Sequence, residues 1–171
     1  MLDFAFKYKE ELNKLYLEKV VGNSYYDYWY STDYHRSFNL DIVDSTWDLL
    51  QNVSLVNGKV VGYVSARIDR YIRKVDSLSM FNLYPEKFSF TFINDIRKFI
   101  NNLFVVEQVT KINFCVHVGN PAERIYDKFI EKFGGRVVGY YEDDVLIMNK
   151  KLVNVKIYEL KQSSYFDSQR K

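Results

Sequence analysis

Cys115 and His117 stand two apart in this sequence, and on a strand they would share a face. An imidazole beside a thiol can activate it as a nucleophile. Strand neighbours two apart point outward in parallel, however, and a cysteine in such a run is usually inert packing, so a catalytic dyad is not expected. A metal centre fails on counting. His35, His117 and Cys115 are the only imidazole or thiol ligands, and no ligand spacing joins them. Neither a glycine-rich nucleotide fingerprint nor a P-loop occurs. What remains is the most strongly patterned stretch of the chain, which carries Tyr126.

That stretch, INFCVHVGNPAERIYDKFIEKFGGRVV, runs from Ile112 to Val138. Ile112, Phe114, Val116 and Val118 alternate with Asn113, Cys115 and His117, the period of a strand. Asn120 is a good N-cap, Pro121 suits the first helical position, and Glu123 stands where a capping-box carboxylate reaches back. Ala122, Ile125, Tyr126, Phe129, Ile130 and Phe133 then recur at helical spacing, with a charged face opposite. Gly134 and Gly135 end the helix. The unit is strand, turn, helix. Its bland reading makes Tyr126 a core aromatic on the buried stripe.

The other elements follow in order. A strand opens the chain at Leu2, and a helix carries Leu12, Leu15, Tyr16 and Val20 on one stripe. An aromatic segment from Asn23 to Asn39 has no clean period and reads as an ordered loop. A short helix is expected from about Asp41 to Leu50. Asn57-Gly58 joins two antiparallel strands, Val53–Val56 and Lys59–Ile68, because both turn residues tolerate positive φ. A third strand spans Val75–Phe81. After the stretch Asn82–Phe90, read as a loop, a helix carries Phe92, Ile96, Phe99, Ile100 and Leu103, and the strand at Ile112 must lie parallel to the third strand across a right-handed crossover. Arg136–Met148 and Leu152–Leu160 make a terminal hairpin. Residues 1–161 are expected to form one domain, with a polar tail over 162–171 on which Tyr165 and Phe166 could dock.

Composition narrows the setting. The chain has 171 residues, enough for one domain to bury a core without staples. One cysteine excludes an internal disulfide framework, and the opening residues carry no apolar run suited to a signal peptide, so a cytoplasmic setting is expected. No run approaches the roughly 20 apolar residues that a bilayer requires, so no membrane association is expected. A net charge of +2 is too small for a general polyanion binder. Aromatic content of 18%, with abundant Lys and Asn, fits an AT-rich genome such as that of a low-GC bacterium or its phage.

The element order, β-α-α-β-β-β-α-β-α-β-β, resembles that of the GNAT acyltransferase superfamily, an α/β fold whose mixed sheet splays between its fourth and fifth strands to admit acetyl-CoA. The residue-level likeness is concentrated in Asn120-Pro121-Ala122, Ile125-Tyr126 and Gly134. The resemblance implies an acetyl-CoA-dependent N-acetyltransferase acting on an amine, either a small molecule or a peptide, with no metal. It implies that Asn120 bonds the pantetheine arm and that Tyr126 protonates the departing thiolate. A phenol suits that task, staying protonated until a thiolate forms beside it. It also implies that backbone near Met80 and Phe81 polarises the thioester carbonyl and that Lys87, Phe88 and Ser89 lie at the diphosphate. It implies too that a proton acceptor stands near the splay, for which Asp76, Ser77 and Glu86 are candidates because they flank the fourth strand, although Asp76 reads first as a solvated carboxylate at a hairpin end. The aromatic loop, with Tyr28, Trp29 and Tyr30, would line the acceptor pocket.

The family usually places glycines where this chain has Glu86, Phe88 and Phe90. A non-catalytic interaction module on the same fold, binding protein or nucleic acid, is therefore the alternative. If Phe88 and Phe90 fill the splay, the module is favoured; if they turn away, the enzyme is. The basic run Arg67, Arg70, Arg73 and Lys74 reads as a solvated turn, with single-stranded nucleic acid as its other reading. A homodimer is left open.

Overall fold

The computed structural model describes residues 1–21, 23–26, 28, 40–44, 47–147 and 151–170. The strands are β1 (Leu2–Phe4), β2 (Leu49–Val56), β3 (Lys59–Asp69), β4 (Lys74–Asn82), β5 (Lys111–His117), β6 (Arg136–Leu146) and β7 (Leu152–Lys161). The helices are α1 (Lys9–Lys19), α2 (Pro85–Val105), α3 (Glu123–Lys132) and α4 (Gln162–Ser168). The strands form one mixed sheet in the order β1-β2-β3-β4-β5-β7-β6. Asn57 and Gly58 turn the β2–β3 hairpin with φ of 51° and 76°, as their side chains allow.

Each sheet face has its own core. On one, Phe99, Leu103 and Phe104 of α2 pack with Ile112 of β5 and Tyr158 and Leu160 of β7, all nearly inaccessible. On the other, Leu12 and Tyr16 of α1 pack against Val53, Tyr63 and Phe81. Burying each such side chain stabilises the fold by roughly 1.5–3 kcal/mol. α2 sits so close to β3 that a Cβ on Gly62 would lie 2.4 Å from the Phe92 ring. Among the described residues, no helix is long and apolar enough to cross a membrane.

β4 and β5 are parallel neighbours, yet only Lys74–Lys111 and Val75–Ile112 pair between them. The cause lies in β4. Arg67 pairs with Ser77 and Ile68 with Val75, which leaves Asp76 as an extra residue. Such a bulge bends its strand, here away from β5. Past it, Ser77–Phe81 and Asn113–His117 flank an opening in the sheet.

Three local expectations are corrected. No helix is described over 41–50: residues 40–44 are irregular, Leu49 and Leu50 already pair with Arg67 and Ala66, and Ser45 and Thr46 lie outside the described residues. Most of the stretch read as a loop after β4 is helix, since α2 begins at Pro85, with a non-helical residue at Phe88 (φ −118°, ψ 18°). The α3 helix starts at Glu123, later than Pro121. Asn120 still organises its entry, with its side-chain oxygen accepting the Ala122 N–H at 2.8 Å, while Glu123 reaches back to the Gly119 N–H at 2.9 Å. The tail docks through α4. Tyr165 is 3% exposed, its ring centroid 5.0 Å from Phe104 and 5.1 Å from Phe133.

Candidate active site

Two hollows meet in the opening between β4 and β5. A narrow slot of about 90 Å³ runs between α2 and α3, walled by Phe92, Ile96, Ile125 and Phe129. A wider cavity of about 500 Å³ lies on the opposite sheet face, lined by Asn113, Cys115 and His117 of β5, Ser77 and Ser79 of β4, and Tyr141 and Asp144 of β6. Leu78, Met80, Phe114 and Tyr126 border both. The alternation of β5 explains the division, since Phe114 and Val116 face the helices while Asn113, Cys115 and His117 face the wide cavity.

Tyr126 stands at the junction, its ring edge-on to Phe114 with centroids 5.8 Å apart. Its helix is anchored from below. The Lys156 side chain on β7, 9% exposed, lies 2.6 Å from Asp127 and 3.3 Å from Glu123, and the Tyr158 hydroxyl donates to Asp127 at 2.8 Å. Tyr126 is therefore carried on a turn whose next residue is tied to the sheet.

The remaining sequence-predicted residues divide. Met80 borders both hollows, whereas the Phe81 side chain turns to the other core and stacks on Tyr63 at 5.9 Å. Ser89 lines the slot; its hydroxyl donates to the Pro85 carbonyl and accepts from Asn82. Lys87 is exposed, its ammonium 5.2 Å from the Phe88 ring. Phe88 packs edge-on to Tyr84, and Phe90 is 79% exposed. Neither ring lines a hollow. The first turn of α2 has few free donors: Pro85 has no N–H, and the Lys87 and Phe88 N–H groups both donate to the Tyr84 carbonyl. Asn120 borders the wide cavity with its oxygen already engaged by Ala122.

Among the base candidates, Asp76 and Ser77 line the cavity, with Asp76 ion-paired to Lys74, while Glu86 lies outside it beside Glu18 and Lys19. Tyr28 lines the cavity, and its ring lies where a Cβ on Gly119 would meet it at 2.8 Å. Trp29 and Tyr30 lie outside the described residues. Cys115 is open to the cavity rather than packed inside. Desolvation in that recess and the Asp144 carboxylate push its thiol upward, which keeps it protonated and argues against an activated dyad. The basic run is committed to protein partners: Arg67 to Asp48, Arg70 to Glu107, Arg73 to the Gln108 carbonyl and Lys74 to Asp76.

Sequence reasoning passed over His117 as a base and missed Asp144. Burial lowers the His117 pKa, partly offset by a hydrogen bond to the Tyr28 backbone and by Asp144. The signal for His117 was its place on the polar face of β5. Asp144 offered none, because only the β5-β7-β6 pairing brings it near.

No protein-family model matches the sequence. A probable serine/threonine-protein kinase of Dictyostelium discoideum is 29% identical over 141 residues, covering 75% of this chain; the chain spans 12% of that curated relative's length. Solved structures are far more alike in shape. The spermidine N-acetyltransferase of Vibrio cholerae, in complex with CoA and spermine, superposes with a TM-score of 0.70 at 19% identity, covering 97% of each chain. A mutant form of the spermidine/spermine N-acetyltransferase from the same organism gives 0.72 at 17% identity, covering 99% of this chain and 97% of the other. A further structure described as a probable acetyltransferase gives 0.66 at 18% identity, over 96% and 93%. With its splayed mixed sheet and the strand–turn–helix that carries Tyr126, the chain has the fold of the GNAT acetyltransferases.

Proposed function

We propose that this protein transfers an acetyl group from acetyl-CoA to the nitrogen of an amine. The observation that carries the reading is the meeting of slot and cavity at Tyr126, through the opening between β4 and β5. The slot has an apolar lining suited to a pantetheine arm, and Ile125, Phe129 and Met80 would hold it. The thioester then lies in the opening, with backbone near Met80 and Phe81 polarising its carbonyl. The amine enters from the wide cavity and attacks the carbonyl carbon, the C–S bond breaks, and the Tyr126 hydroxyl gives its proton to sulfur. Phe88 and Phe90 leave the opening clear, which favours catalysis over a non-catalytic module.

The acceptor is an amine with cationic character, such as a polyamine. Support comes from the Asp144 carboxylate and the Tyr28 and Tyr141 rings around the cavity, and from neighbours described as spermidine acetyltransferases. At the diphosphate end, side-chain charge from Lys87 replaces most of the backbone donors a phosphate would otherwise use.

Calorimetric titration with acetyl-CoA tests the reading, supported by the rise in melting temperature that a native-state ligand produces. Micromolar binding is expected. Absence of heat and of any shift up to millimolar acetyl-CoA, in a folded sample, refutes the enzyme reading and favours the module. Tyr126→Phe should cut turnover about a hundredfold or more while leaving the melting temperature near wild type.

A further inference from the structure

An amine acceptor poses a proton problem that Tyr126 does not solve. An aliphatic ammonium has a pKa near 10.4, so at neutral pH roughly one molecule in a few thousand carries the lone pair that attacks the thioester. A base beside the opening is required. The described residues of the wide cavity offer three candidates. Asp76 is ion-paired to Lys74, and Asp144, on the β6 bulge, supplies a carboxylate that can draw in a cation.

The third is His117, at the end of β5. The Tyr28 backbone lies beside its ring, while its Nδ1 is buried and finds no hydrogen-bond partner among the described residues. With Nδ1 unpartnered, Nε2 is the nitrogen left to carry the ring proton toward the Tyr28 backbone. In that tautomer Nδ1 is a lone pair. The Asn113 side-chain oxygen, on the same strand face, is a second buried acceptor with no donor. Two orphan acceptors and one carboxylate around a single cavity call for a ligand rich in N–H donors and positive charge.

We propose that His117 is the catalytic base of this site, taking a proton from the acceptor ammonium at Nδ1, directly or through one water. The assignment rests on the acyltransferase reading above. The freed nitrogen lone pair forms the C–N bond, and the C–S bonding electrons leave on sulfur, which takes the Tyr126 proton. The second proton of the attacking nitrogen passes to the Tyr126 phenolate, and the His117 proton goes to solvent. Amide, free thiol and one proton result. Among the described residues, the charged and titratable groups that share the cavity with His117 are Cys115 on its own strand, Tyr141 and Asp144 on β6, Lys74 and Asp76 across the opening, Tyr126 on α3, and Tyr28. Desolvation outweighs the pull of Asp144, so the ring is neutral and able to accept a proton at pH 7.

The test has two readouts. Nitrogen NMR of the imidazoles is assigned by His117→Gln, since His35 is the chain's other histidine. It should show His117 as the neutral Nε2–H tautomer at pH 7. Thiol release from acetyl-CoA with spermidine and simple diamines, from pH 5 to 9, should give an acid limb of kcat/KM below the ordinary histidine value. His117→Gln should remove that limb and lower kcat about a hundredfold or more, with acetyl-CoA affinity and melting temperature unchanged. An Nδ1–H tautomer, or an unaltered acid limb and kcat in His117→Gln, overturns the assignment. If acetyl-CoA binds but no amine in the panel turns over, the tautomer decides. If acetyl-CoA does not bind the wild type, the acyltransferase reading fails and the assignment fails with it.

Discussion

Replacing Lys156 with Met keeps the stem that packs on β7 and removes the charge that holds α3. The structure sets the size of the effect. Lys156 is 9% exposed and serves two carboxylates, so Asp127 and Glu123 would lose their shared cation at once. Breaking a fully buried pair costs about 3–5 kcal/mol, but Asp127 is 42% exposed and water can solvate part of it. About 2 kcal/mol is the expected loss, which for a chain of this size lowers the melting temperature by about 4–8 °C. The effect should depend on pH with a definite sign. Burial alone would raise the Asp127 pKa, but hydrogen bonds from Lys156 and Tyr158 hold it below the usual carboxylate range. A depressed carboxylate contributes stability that is complete above its unfolded pKa and is lost as pH falls through the folded value. Melting curves of wild type and Lys156→Met should therefore differ fully at pH 7 and begin to converge only as pH falls below about 4. Adding Asp127→Asn to Lys156→Met should recover part of the loss, since the charge is gone while an acceptor for Tyr158 remains. A melting temperature within 1 °C of wild type for Lys156→Met at pH 7 would refute the reasoning.

Two further outcomes follow from the same structure. Tyr165→Ala should destabilise the fold by about 3 kcal/mol, read by urea titration, because it removes a buried ring from between Phe104 and Phe133; a loss below 0.5 kcal/mol would mean that α4 is not part of the core. Acetyl-pantetheine should be used with a KM within about tenfold of that for acetyl-CoA, since the first turn of α2 spends its Lys87 and Phe88 donors on Tyr84; a thousandfold preference for acetyl-CoA would show a phosphate site made elsewhere.

What the sequence disclosed, and what it hid, follows from the range of the interactions involved. The Asn57-Gly58 turn and the stripe of α3 are local, written in residues a few positions apart, and both stand in the structure. The expected helix over Asp41–Leu50 came from apolar spacing that says nothing about Arg67 and Ala66, the distant residues that draw Leu49 and Leu50 into β2. The start of α2 was obscured because Pro85 to Phe90 mixes charges and aromatics without a helical stripe, several of those side chains finding partners within the turn. In the candidate site, Tyr126 and Met80 were legible from local pattern and family likeness. His117 stood out only as the partner of an unexpected dyad until β6 brought Asp144 to the same recess, and Asp144 itself has no local mark.

The short seam between β4 and β5 has a consequence for how the molecule moves. Two residue couples join a sheet of four strands to a sheet of three, and the firmest ties across that line are α2 and the core beneath it. Amides on the inner edges of the seam have no strand partner to slow their exchange with solvent, so β4 and β5 should exchange faster beyond Val75 and Ile112 than the antiparallel ladders on either side. A molecule lying along the seam would act as a missing strand. It would turn two independently breathing halves into one cooperative unit, visible as slowed exchange on both halves at once.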